Sequence, residues 1–282
     1  MAKKKEKKNI LIKIITYLVV LIFFTAVYSH FIGTKGLFIR EYAIINERIP
    51  QNFNGFKIVH FTDLHYGTTV KEKELKKLVN TINELKPDLV VFTGDLVDRH
   101  VLLKENDINI LTRELNRIEA STGKYITRGN HDIHEEYDNL IKQTNFTIFN
   151  NQNTLIYSEE NTPIRLVGLD DYLEHEIKID DTFNYNKEED IYTILLAHEP
   201  DVIDKLSEQK IDLFLSGHSH NGQIRLPFIG AIYTTIGAKK YYDEKYELNN
   251  TLMYISGGIG TSTAEFRLFV RPSINFYRLY TN

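Results

Sequence analysis

The sequence predicts an α/β fold in which two mixed sheets pack face to face with flanking helices, a four-layer α-β-β-α sandwich, preceded by one N-terminal transmembrane helix. Three observations predict it: a charge-free apolar run near the N-terminus, a strand–helix alternation from residue 56 onward, and a second half made of short strands. With 282 residues, 42% of them apolar, the chain can bury a substantial core. Its net charge of −4 supplies no positive field for a polyanion, so no nucleic-acid partner is expected. Cysteine is absent, which excludes disulfides and thiolate chemistry and leaves any metal to nitrogen and oxygen donors.

Residues 1–33 read as a basic N-terminus and membrane anchor. Lys3, Lys4, Lys5, Lys7 and Lys8 precede an apolar stretch broken only by Lys13 and His30. Residues 14–29 carry no charge, and with their flanks they reach the roughly 20 residues that a spanning helix needs. Ala26, Val27 and Tyr28 make a poor cleavage site, which favours an uncleaved anchor over a secretory signal. The lysines outweigh Lys35 and Arg40 on the far side, so the expected topology is single-pass in the cell membrane, N-terminus cytoplasmic and folded domain extracytoplasmic.

Residues 34–55, punctuated by Gly36, Pro50 and Gly55, read as a connector, and residues 56–282 as one domain. Strands are expected at 56–62, 88–93 and 124–127. Between them fall a helix over 71–86 with Leu75, Leu78, Val79, Ile82 and Leu85 on one face, and a second helix with its stripe at Ile108, Leu111, Leu115 and Ile118. Connections this short imply parallel pairing. Further strands are expected at 164–169, 192–197, 213–215, 232–236 and 252–255 and near the C-terminus, with a short helix around 202–206.

Polar motifs follow the expected strands: Asp63-Leu64-His65, Gly94-Asp95-Leu96-Val97-Asp98, Gly129-Asn130-His131-Asp132, then His198, and Gly217-His218-Ser219-His220. Open α/β sheets place their ligands at this edge. Carboxylate, imidazole and amide donors suit divalent zinc, manganese or iron. A pair of such cations needs a carboxylate bridge, and Asp95, with a glycine before it to permit a tight turn, is the natural one. Asp63 and His65, like His218 and His220, stand two apart, which on an extended segment puts both side chains on one side.

The ordered series DLH, GDLVD, GNHD, a lone histidine and GHSH resembles the calcineurin-like metallophosphoesterase family over residues 56 to about 280. The resemblance implies two divalent metal ions (Mn, Zn or Fe), one held by Asp63, His65, Asp95 and His220, the other by Asp95, Asn130, His198 and His218. It implies that His131 is the catalytic histidine facing the phosphoryl oxygens and leaving group. Asp98 stands where purple acid phosphatases carry tyrosine, which argues against a ferric–tyrosinate pair; it fits an acceptor that orients a ligand and equally a solvated turn residue. GHSHNGQIRLPFIGA and GGIGTSTAEFRLFVRPSI are similar to a bacterial membrane-associated subgroup that includes phosphodiesterases and pyrophosphatases acting on UDP-2,3-diacylglucosamine. The expected activity is thus hydrolysis of a phosphodiester or pyrophosphate bond, with a lipid-linked or nucleotide-sugar substrate such as UDP-2,3-diacylglucosamine as the finer expectation. Phosphomonoester or cyclic-nucleotide hydrolysis is the alternative within the class, and a silent membrane-tethered scaffold the alternative outside it.

His60, His100, His134 and His175 have no motif support and read as ordinary polar or core residues, and Asp170 and Asp171 as a charged turn. The 238–246 segment interleaves Lys239, Lys240 and Lys245 with Tyr241, Tyr242 and Tyr246, a composition suited to a membrane–water interface, although a solvated loop is the default.

Overall fold

A computed structural model describes residues 2–158, 162–186 and 190–282. In chain order the strands are β1 (Phe38–Ile45), β2 (Lys57–Phe61), β3 (Leu89–Thr93), β4 (Gly123–Thr127), β5 (Thr147–Ile148), β6 (Gln152–Ile156), β7 (Ile164–Gly168) and β8 (Thr193–Leu196). They continue with β9 (Leu213–Ser216), β10 (Arg225–Leu226), β11 (Gly230–Ala231), β12 (Lys245–Leu248), β13 (Thr251–Ile255) and β14 (Ser273–Tyr280). The helices are α1 (Ala2–Tyr28), α2 (Glu72–Glu84), α3 (Glu105–Asn116), α4 (Tyr137–Lys142) and α5 (Ile179–Thr182).

One six-stranded sheet runs β1-β14-β2-β3-β4-β5 and the other β12-β13-β9-β8-β7-β6, while β10 and β11 form a separate hairpin. β2, β3 and β4 pair in parallel, as do β7, β8, β9 and β13. Antiparallel β14 and β12 make both sheets mixed.

Both faces of β2, β3, β7, β8 and β9 are buried, which explains their continuous apolar text. Alternate residues serve different cores. Ile58, Leu89 and Val91 of the first sheet meet Ile194, Leu196, Leu213 and Leu215 of the second in the central layer. Val59, Phe61, Val90 and Phe92 turn the other way, onto α2 and α3 through Leu75, Leu78, Val79, Leu111 and Leu115. Val167, Leu195, Phe214 and Met253 face outward against Phe183, Val202 and Leu206. The expected α2 is two residues long at its C-terminal end and one at its N-terminal end. It starts where Glu74 accepts from the Lys71 amide, and stops at left-handed Lys86 before Pro87.

Three expectations need correction. The 34–55 connector contains β1, which pairs in parallel with β14 along its full length. Its inward side chains are few, with Ile44 buried and Phe38, Ile39 and Ile45 exposed, so it lacks the apolar signature of the central strands. The strand expected at 232–236 is not formed: that stretch follows β11 as an irregular segment with Ile232, Tyr233 and Ile236 exposed. The 238–246 segment does not present its tyrosines outward. Tyr241 is buried in the outer core, its hydroxyl donating to Asp204 at 3.0 Å, and Lys240 pairs with the same carboxylate.

At the N-terminus, α1 continues through a wide turn (Ser29–Gly33), and the stretch Lys4–Gly33 is long and apolar enough to cross a membrane, with its apolar side chains exposed. The central layer predicts its own test. Leu215→Ala, deep in β9, should lower stability by about 2–5 kcal/mol in denaturant unfolding of the detergent-solubilised protein, and a smaller loss would mean that the layer collapses around the deletion.

Candidate metal centre

The parallel strands end at one edge, and their loops run on side by side there. The Asp63 amide donates to the Gly94 carbonyl at 2.9 Å, and the His65 amide to the Asp95 carbonyl at 3.0 Å, which extends the β2–β3 ladder past the strands. Within that frame Asp63, His65, Asp95, His218 and His220 all have positive φ, between 41° and 64°. Left-handed backbone costs a non-glycine residue roughly 1–2 kcal/mol. The DxH and HxH pairs are therefore not the extended segments that their spacing predicts, and both members of each pair reach the centre through left-handed turns.

Other groups hold these turns in place. The His218 amide donates to both carboxylate oxygens of Asp63 at 3.1 Å, and the His131 amide to Asp95 Oδ1 at 2.8 Å. Gly94 has φ +91°, and a Cβ there would strike the backbone of Gly129 at 2.5 Å. Asp132, quoted in its motif but given no role there, acts as a clasp: its carboxylate accepts from the amides of Asp95 (2.8 Å), Leu96 (2.8 Å) and Gly129 (3.0 Å). It ties the second and third loops together.

The seven expected ligands converge. Asp63, His65 and His220 form one buried group with donor atoms within 4.8 Å of one another, and Asp95, His198 and His218 form another. Asp95 Oδ2 lies 3.4 Å from His65 Nε2 and 3.2 Å from His198 Nε2, between the two. His220 Nε2 is 3.1 Å from His65 Nε2 and 3.4 Å from Asp63 Oδ1. Asn130 lines the same pocket, and its buried Oδ1 has no hydrogen-bond partner among the described residues.

This donor set fits divalent cations on its own chemistry. Burial brings the His218 imidazole down to about 3 and the His220 imidazole well below its ordinary value, so both rings are neutral at pH 7 and present lone pairs. Because His218 Nε2 faces the Ile236 carbonyl at 2.6 Å, its Nδ1 is the atom left to ligate. Burial opposes ionisation of Asp95, but the charges of His198, His65 and His131 outweigh it and hold this carboxyl well below the usual range.

His131 and Asp98 stand beside the cluster. Asp98 Oδ2 is 3.3 Å from His65 Nδ1 and 3.4 Å from His131 Nδ1, and Oδ1 accepts from the His100 amide. Burial opposes its charge, yet these bonds keep it below the usual carboxylate range. For His131, burial favours the neutral ring, but the bond to Asp98 and the charge of Asp95 raise its pKa above the ordinary value.

The residues set aside in the sequence are explained by their partners. His60 faces Thr93 Oγ1 at 2.8 Å, His134 the Asp98 carbonyl at 3.2 Å, and His175 the Asp171 carboxylate at 3.0 Å. Asp171 also accepts from the Leu173 and Glu174 amides, while Asp170 pairs with Arg128. His100 differs, since it lines the pocket together with Arg99. Arg267 also went unnoticed. Fully buried, it donates to the carbonyls of Gly257 and Gly260, and it lies 3.2 Å from His220 Nδ1. One of two arginines in the C-terminal motif, it carried no signal in the sequence that set it apart from Arg271.

The pocket over these groups has a volume of about 560 Å³. A larger depression of about 690 Å³, at Arg48, Asp190 and Tyr192, lies at the opposite ends of the strands from the histidines.

Two stacked mixed sheets with paired carboxylate–histidine clusters at one edge define a metallophosphoesterase, a phosphoester hydrolase with candidate residues for two metals. The chain belongs to the calcineurin-like phosphoesterase family, whose profile matches residues 56–222. It is 34% identical over 257 residues to the uncharacterized metallophosphoesterase YkuE of Bacillus subtilis, covering 89% of this chain and 88% of that one. Phosphodiesterase YaeI of Escherichia coli is 28% identical over 79% of this chain and 82% of its own length. A transmembrane protein with metallophosphoesterase domain of Danio rerio is 29% identical over 81% of this chain, which spans 54% of that relative.

The clasp yields a prediction. In Asp132→Ala three buried amides lose their acceptor, each at about 1–3 kcal/mol. Metal per chain by elemental analysis and the thermal midpoint should both fall, and a variant that keeps both would remove this role from Asp132.

Proposed function

We propose that the chain hydrolyses a phosphodiester or pyrophosphate bond with two divalent cations, manganese, zinc or iron. Asp63, His65, Asp95 and His220 hold one, and Asp95, Asn130, His198 and His218 the other. The observation that carries this reading is the position of Asp95 Oδ2, within 3.4 Å of imidazoles from both clusters. A cation pair of this kind, when bound, offsets the charge of the phosphoryl oxygens and makes water a nucleophile near neutral pH.

The protein's own groups supply the rest. His131 sits at the pocket wall with Nδ1 accepting from the Arg99 amide at 3.1 Å and lying 3.4 Å from Asp98 Oδ2, which leaves Nε2 to donate to a phosphoryl oxygen or to the departing alkoxide. Asp98 positions both this ring and the ring of His65. Arg99 adds positive charge at the rim and His100 a polar ring, while Ile224, Ile232 and Tyr233 give the pocket an apolar side.

That mixed lining, the similarity to a relative named a phosphodiesterase, and the subgroup motifs support a lipid-linked or nucleotide-sugar substrate such as UDP-2,3-diacylglucosamine. In this reading α1 is an uncleaved single-pass anchor in the cell membrane, with its lysines in the cytoplasm and the catalytic domain outside, in line with the charge bias and the named transmembrane relatives.

Elemental analysis combined with hydrolysis of bis-(p-nitrophenyl) phosphate and p-nitrophenyl phosphate tests the proposal, since a strong preference for the monoester would overturn the choice of bond. Asp95→Asn should abolish nearly all turnover and cut metal content. His131→Ala should keep its metals and lose about 10²–10⁴-fold in kcat, and loss of metal instead would make His131 a ligand.

The pH profile offers a separate check. A proton donor with a raised pKa is competent below that pKa and fails as pH rises through it, so kcat should decline on the alkaline side. Asp98→Asn removes the partner that holds the proton, and the decline should move to lower pH by about one unit. An unmoved profile would show that Asp98 does not act through His131.

A further inference from the structure

The β10–β11 hairpin and the irregular segment after it project from the pocket rim as a charge-free stretch, Leu226 to Ile236. Phe228 at its tip is completely exposed, and Ile229, Ile232, Tyr233 and Ile236 are each more than half exposed. Single exposed apolar residues are ordinary on a soluble protein, but a projecting cluster of this kind marks a contact surface. Polar neighbours frame it: Arg225 pairs with Asp243 at 2.6 Å, and the Lys239 ammonium lies 5.1 Å from the centre of the Tyr233 ring. An apolar tip with cations and tyrosine at its base is the arrangement that settles at a bilayer surface.

What covers the hairpin follows from what it is fastened to. The Arg225 amide donates to the Leu268 carbonyl at 3.0 Å, and the Leu268 amide to the Gln223 carbonyl at 3.1 Å. The Gln223 side chain donates to the carbonyls of Ser262 and Ala264 and accepts from the Ser262 amide. The same 262–268 segment holds the end of the apolar helix. The Arg267 amide donates to the Ser29 carbonyl at 3.0 Å, and His30 Nδ1 lies 2.8 Å from the Glu265 carbonyl. At Gly33 the contact is so close that any Cβ would overlap the Arg267 carbonyl. Anchor and hairpin are thus bound to opposite sides of one short segment, and Ser262, Thr263 and Ala264 of that segment line the pocket.

We propose that the 226–236 hairpin is a second membrane contact that seats the pocket mouth on the bilayer carrying α1. A phosphoester held at lipid headgroup level then enters the site without leaving the membrane. This rests on the reading of α1 as a membrane anchor, and it differs from the interfacial role expected for residues 238–246, whose Tyr241 is buried.

The absence of cysteine allows a clean test on the full chain. Phe228→Cys and, at the opposite ends of the strands, Lys210→Cys are each labelled with an environment-sensitive fluorophore. The proteins are reconstituted into vesicles of equal parts phosphatidylcholine and phosphatidylglycerol carrying shallow nitroxide-labelled lipid. Hydrolysis of bis-(p-nitrophenyl) phosphate, unchanged in both, certifies the fold. The proposal expects the probe at 228 to be blue-shifted and quenched severalfold more than the probe at 210. If the protein floats with the vesicles but both probes are quenched equally little, the anchor stands and the hairpin contact is overturned. If the protein does not float with vesicles, the reading of α1 fails and the hairpin proposal falls with it. Shielding at 228 that persists without lipid, depends on protein concentration and yields crosslinked pairs would make the hairpin a contact between copies of the chain, and would also overturn it.

Discussion

One carboxylate oxygen has to lie within reach of imidazoles carried by different sheets. Asp95 follows β3 of the first sheet, as His65 follows β2, whereas His198 follows β8 of the second. The stacking of the sheets therefore does more than bury Ile58 against Leu196; it fixes the register across which Asp95 Oδ2 meets both rings. A slip of one sheet over the other by a single residue, more than about 3 Å, would separate the clusters. Interlocking of side chains in the central layer resists that slip, and so the packing of the core is part of the chemistry.

The backbone at the centre shows the opposite relation between stability and function. Five candidate ligands occupy left-handed conformations that their side chains disfavour. The strain persists because the surroundings over-determine it, through the His218 amide on Asp63, the His131 amide on Asp95 and the three amides on Asp132. Rigid sheets provide the support, and the short loops between them carry the distortion.

Much of this was legible in the sequence because it depended on local pattern. Apolar runs ending in polar motifs located β2, β3, β4, β8 and β9, and the ordered motifs named the groups that converge. What was not legible depended on partners far away in the chain. β1 has a weak apolar pattern because it is an edge strand, and only β14 makes it a strand at all. Arg267 gains its meaning from His220, and Asp132 from the amides of a loop that lies 36 and 37 residues earlier. The spacing of Asp63 and His65 identified a pair but implied an extended backbone, since no pattern of residue types announced the left-handed turns. At 232–236 the β-branched and aromatic residues suit a strand, but Ile232, Tyr233 and Ile236 are exposed with no sheet to receive them.

The pairing of β1 with β14 also constrains how the molecule is made. The first strand after the apolar helix finds its neighbour in the last strand of the chain, and β14 in turn separates β1 from β2. The first sheet therefore stays divided until β14 is available, and β1 has an unpaired edge beside the apolar helix in the meantime. Loss of β14 (Ser273–Tyr280) would take away an interior strand and leave β1 without its neighbour, so a segment more than 220 residues from β1 governs whether the half of the first sheet nearest the apolar helix assembles.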